Sequence, residues 1–148
     1  MAPVVVEADR VAGEHASAAE PGAARSPMLE LSNAIVRVYK EAFGRGPTRA
    51  RAHFAGPDTL VVVLEKSMTV AERNLAQMGE YERVRDSRQF FQHSLEAELR
   101  AVVQNTLRRR AVACVSGIDP RVDVAVEVFM LEPQPASNGA TEFRAHSE

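Results

Sequence analysis

Cysteine, lysine and long apolar runs are all scarce in this 148-residue chain, and each shortage closes off a class of protein. Cys114 is the single cysteine, so no internal disulfide can form. No Cys/His pair has metal-ligand spacing, and no metal or other cofactor is expected. That cysteine usage predicts a reduced, cytoplasmic protein. The only apolar run near the N-terminus is Val4 to Val6, with no basic segment before it. A bilayer span needs ~20 apolar residues, so neither a span nor a signal peptide is expected and the protein should be soluble. Lys40 and Lys66 are the only lysines among 18 cations; the rest are arginine.

Residues 1–27 are rich in Ala, Glu, Gly and Pro without a periodic apolar face, and read as a disordered N-terminal tail. Residues 133–148 read as a disordered C-terminal tail for the same reason. Between them, 28–132 form one domain, without an internal repeat or a second composition shift. The tails hold most of the acidity, since the net charge is -2 and the domain itself is close to neutral.

The elements of the domain follow from its punctuation. Ser26 and Pro27 open a helix whose apolar positions Leu31, Ile35, Val38 and Ala42 recur at helical spacing, and Gly44 ends it. Arg49, Arg51 and His53 alternate with Ala50, Ala52 and Phe54, which predicts a half-buried strand. After the turn Ala55 to Asp58, the β-branched run Thr59 to Glu65 predicts a central strand covered on both faces and hairpinned to the first. Thr69 and Glu72 have the spacing of a capping box at a helix start. That helix breaks near Gly79, and one long amphipathic helix runs from Tyr81 to about Leu107. Two more strands, Ala111 to Gly117 and Arg121 to Leu131, close the pattern. The reading is α+β in the order αββααββ: a four-stranded, mostly antiparallel sheet of two hairpins, with the long helix on one face.

Chemistry-bearing motifs are few. The stretch Phe43 to Arg51, FGRGPTRAR, has the composition of a phosphate grip, but its glycines follow a helix. The dipole there is negative and the free groups are carbonyls, so Gly44 reads as a helix cap. Arg49, Arg51 and His53 share a strand face that could meet nucleic acid or another anion. The competing expectation pairs those arginines across the sheet with Asp123 and Glu127, which alternate with Val122, Val124, Val126 and Val128. Arg108, Arg109 and Arg110 end the long helix, where cations complement its dipole. Cys114 reads as a packed thiol, and His53 and His93 stand without a local partner, so no catalytic residues are assigned and an enzyme is not expected.

The combination of Gly44, Arg45, Gly46 and Pro47 with Leu64, Glu65, Thr69, Glu72 and Leu75, then Val84, Arg85 and Arg88, and a final VAVEVFMLE, resembles the MpsC-like family. These residues span nearly the whole domain. Met68 stands where the family usually has Leu, and Arg108 where it commonly has a glycine that ends the long helix. The resemblance implies a non-enzymatic bacterial accessory or regulatory domain, acting with a membrane system that moves cations or takes up inorganic carbon. It implies a protein partner, with Arg45, Gly46, Pro47, Arg49 and Arg51 as the candidate partner-binding surface. Apart from the resemblance, no segment is long and apolar enough to span a membrane, and an edge strand protected only by its charges offers a route to a homodimer. The alternative is a nucleic-acid or anion-binding module using the arginine-rich strand face.

Overall fold

The computed structural model describes residues 5–8 and 26–135. The chain order is β1 (Val5–Ala8), α1 (Pro27–Phe43), β2 (Arg49–Phe54), β3 (Thr59–Glu65), α2 (Val70–Gln77), α3 (Tyr81–Ser94), α4 (Glu96–Leu107), β4 (Ala111–Asp119) and β5 (Val124–Leu131). The domain is the expected α+β arrangement. β2/β3 and β4/β5 are antiparallel hairpins, and β3 pairs antiparallel with β5. The sheet order is β1-β2-β3-β5-β4, so a short fifth strand adds to the four expected. β1 pairs in parallel with β2, Val5 beside Arg49 and Ala8 beside Ala52. Within the stretch read as an unstructured tail, these four residues are therefore a strand; valines suit an extended backbone, and β2 offers an edge. The tail expectations for 1–4, 9–25 and 136–148 lie outside the described residues.

The helices cover one face of the sheet. Leu31, Ile35, Val38 and Tyr39 of α1 and Leu99 and Val103 of α4 are buried against Ala50, Ala52, Leu60, Val62, Leu64, Ala125, Phe129 and Leu131. The opposite face carries Val61, Val63, Val124, Val126 and Val128, all only half-buried. β3 is central, as expected, but helices cover it on one side rather than both.

Local signals set the ends of the helices. Gly44 caps α1 with φ +72, in the left-handed region. The Thr69 side chain accepts from Glu72 N–H and the Glu72 carboxylate accepts from Thr69 N–H, the complete capping box. The helix read as continuous from Tyr81 to Leu107 is divided at Leu95 into α3 and α4. Ser94 Oγ donates to the Phe91 carbonyl at 2.6 Å, and such back-bonding by a serine bends a helix. Arg108 takes the left-handed cap position with φ +55 although it is not a glycine.

Candidate functional site

The residues of the opening motif turn inward more than outward. Arg45 Nη1 donates to the Met68 carbonyl at 3.0 Å, and Pro47 is buried. Gly46 lies close against α1, where an added Cβ would stand 3.4 Å from Val36 Cγ1, in van der Waals contact. The same loop region is fixed from two other directions. Asp123 Oδ1 accepts from Ser67 N–H at 3.0 Å and Met68 N–H at 3.1 Å. Arg88, fully buried on α3, donates from Nη2 to the Ser67 carbonyl at 3.1 Å.

Arg88 also grips the capping box. Its Nε donates to Glu72 Oε2 at 2.9 Å and its Nη2 to Oε1 at 2.5 Å, while its guanidinium lies 3.9 Å above the Phe43 ring. Burial alone would raise the Glu72 carboxyl, but the bonds from Arg88 and Thr69 outweigh it and hold it below the ordinary value. Arg45, Met68, Thr69, Glu72 and Arg88 thus form one lock joining α1, α2 and α3. Arg88 lay among residues read as family matches, on a helix expected to turn its arginines to solvent. Its burial was not visible from spacing because its partners are 16 and 21 residues away.

A second polar cluster lies between α1, α3 and the sheet. Glu127 on β5 is fully buried. Tyr39 Oη donates to its Oε1 at 2.5 Å, Ser116 Oγ–H donates to its Oε2, and the Cys114 thiol lies 3.7 Å from that oxygen. Burial pushes the Glu127 carboxyl up despite these donors. Burial, then the neighbouring Glu127, pushes the Cys114 thiol up to about 12, so it is not a nucleophile at neutral pH. Gln92 Nε2 donates to Tyr39 Oη at 3.1 Å. Outside this cluster opens a cavity of about 350 Å³ lined by Gln92, His93, Glu96, Cys114 and Ser116. Among the described residues, no group of three or more His, Cys, Asp or Glu could hold a metal ion.

The open sheet face presents the arginine stripe. Arg49, Arg51 and His53 of β2 point there, opposite to the buried Ala50 and Ala52. The expected pairing of Arg49 and Arg51 with Asp123 and Glu127 does not occur. β3 lies between β2 and β5, Asp123 caps the Ser67–Met68 backbone, and Glu127 is on the helix-covered face. Arg49 Nε instead lies 3.5 Å from Glu65 Oε2. The valine run of β5 suggested that its valines were inside. The phase is the reverse, with Ala125, Glu127, Phe129 and Leu131 inside. Of the arginines after α4, Arg109 Nη2 donates to Asp58 Oδ1 at 2.6 Å and to the Glu132 carbonyl at 3.0 Å, whereas Arg108 and Arg110 are exposed.

No helix among the described residues is long and apolar enough to cross a membrane. No curated protein and no solved structure matches the chain. The family model described as "Na+-translocating membrane potential-generating system (MpsC)" matches residues 27–133, from the first residue of α1 to just past β5. That interval contains the glycine-arginine turn, the capping box and the arginine that grips it, and the chain belongs to the MpsC family.

Proposed function

We propose that the chain is a non-enzymatic, cytoplasmic accessory domain that acts with a membrane partner moving cations or inorganic carbon. The observation that carries this reading is the family match over a domain whose described helices are all unable to span a bilayer. On this reading the ions move through another polypeptide, and this chain regulates or completes it. The docking region is the half-buried turn at Arg45 and Gly46, shaped from beneath by the buried Pro47, with Arg49 and Arg51 beside it. The lock behind the turn supports this: Arg88, Glu72 and Asp123 fix the Ser67–Met68 backbone to which the Arg45 side chain is bonded, and a surface anchored to a fixed frame loses less entropy on binding. A nucleic-acid role is less well supported, because the arginines border valines rather than stacking aromatics.

The test is recovery from membranes. Tagged full-length chain should co-purify with an integral membrane transporter component, and deletion of the gene should lower membrane potential or make growth depend on added carbon dioxide. Recovery of no such component, together with unchanged potential and growth, overturns the proposal.

A further inference from the structure

The open sheet face has a valine centre on β3 and β5 flanked by charged side chains on β2 and at one end, and its register places each residue. One row across the sheet reads Val115, Val128, Val61, His53; the next reads Gly117, Val126, Val63, Arg51; the end row reads Asp119, Val124, Glu65, Arg49. α1 and α4 pack on the other side. With ~3.3 Å per residue and ~4.8 Å between strands, the six residue levels shared by β2, β3, β5 and β4 give roughly 380 Å² of flat footprint. The pleat and the rim side chains bring this toward the ~800 Å² per partner of a specific interface.

We propose that a second copy of this chain covers the face, in a two-fold dimer whose axis runs parallel to the strands between β3 and β5. The pattern of the face is self-complementary about that axis. It lays β2 over the partner copy's β4 and β3 over its β5, keeping each row at its own level. Valines then meet valines in the centre: Val63 over Val126, and Val61 over Val128. Arg49, which keeps its own-chain contact with Glu65, comes over the exposed carboxylate of Asp119, so that charges of opposite sign adjoin at each rim. Arg51 comes over Gly117, whose missing side chain leaves room for a guanidinium. The other in-plane axis, across the strands, would stack β2 on β2 and bring Arg49, Arg51 and His53 onto themselves. Like charges so placed are repulsive, and the sequence thereby selects one arrangement over the other. The sheets pack aligned, as twisted sheets do. The dimer takes Arg49 and Arg51, two residues of the docking region above, into its own rim, and leaves the turn Arg45 to Pro47, at the end of the sheet, for the membrane partner.

Purified full-length chain should show twice its monomer mass by light scattering at micromolar concentration. Val126→Lys, at the centre, should weaken the dimer by about tenfold or more. Val115→Lys tests the same face at a side chain already 62% exposed, where folding is not at risk. Far-ultraviolet circular dichroism should remain that of the parent in both. Register is tested by mixing Arg49→Cys chains with Asp119→Cys chains in a Cys114→Ser background: a bismaleimide of about 8–10 Å reach, matched to the spacing of packed sheets, should crosslink the mixture and neither chain alone. A monomer at every concentration overturns the proposal, whether the chain's own termini or a different protein takes the face. A dimer that survives both lysine substitutions, or that crosslinks only like to like, also overturns it. Since these measurements use the chain alone, their failure leaves the membrane reading untouched, and the converse holds.

Discussion

Glu72 and Glu127 are both carboxylates removed from most or all of their water, and the domain keeps them in opposite ways. Glu72 receives two bonds from a buried guanidinium and one from a backbone N–H, so its charged form is the one that fits. Glu127 receives bonds only from the neutral donors Tyr39, Ser116 and Cys114, and burial favours its protonated form. The first holds loops and helices together at the motif that marks the family. The second sits under the helices against the floor of a cavity. A charge partner fixes geometry, whereas a set of neutral donors leaves a proton to be gained or lost.

The largest effect should come from taking the cation away from Glu72. Arg88→Ala leaves a buried carboxylate without its partner, and unfolding in urea should show a loss of about 3–5 kcal/mol. The pair Arg88→Met with Glu72→Leu should recover much of that loss, because apolar groups of similar volume remove both charges. A loss below about 1 kcal/mol in the single variant would place the two acids in the same class and break the comparison.

The pH dependence should separate them next. Glu72 has a lowered folded value, so its contribution is present above the ordinary carboxyl range and is lost as pH falls through that lowered value. Glu127 has a raised folded value, so its contribution is full below the ordinary range and is lost as pH rises through the raised one. Glu127→Gln should flatten the alkaline side of the stability profile, at a cost of about 1–2 kcal/mol or less under acid conditions. Glu72→Gln should flatten the acid side instead. Urea midpoints measured across pH would check both, and a Glu127→Gln profile unchanged from the parent would contradict the assignment.

The smallest effect should leave both acids alone. Arg108→Gly relieves a left-handed backbone with a residue that adopts it freely, and should gain about 0.5–1 kcal/mol without changing either pH limb. Thermal unfolding would read it.

What the sequence disclosed was mostly local. The Thr69–Glu72 box, the stop at Gly44 and the alternation of Arg49 to Phe54 each depend on residues within a turn or a strand, and each stands where spacing put it. Long-range matters were hidden. Glu127 was read onto the outer face because valine normally outranks glutamate for burial. What reverses that order is a tyrosine 88 residues earlier, and no window of sequence contains both. The order of the strands had the same fate. Two hairpins were legible, but their junction through β3 and β5 was not, and with it went the supposed pairing of Arg49 and Arg51 with the last strand. The division at Leu95 could have been sought in Ser94, a weak signal in an otherwise unbroken apolar stripe.

The register of β4 slips between Ala111 and Ala113, where Ala111 faces Leu131 and Ala113 faces Met130. Val112, half-exposed, is the residue left over. β4 pairs with β5 on one side only, so its other edge is where a foreign strand would try to join. An incoming strand meets an amide ladder that is out of step at that point, and a sheet extended there cannot repeat itself. The slip works against strand addition at that edge, beside strands whose valine content favours it.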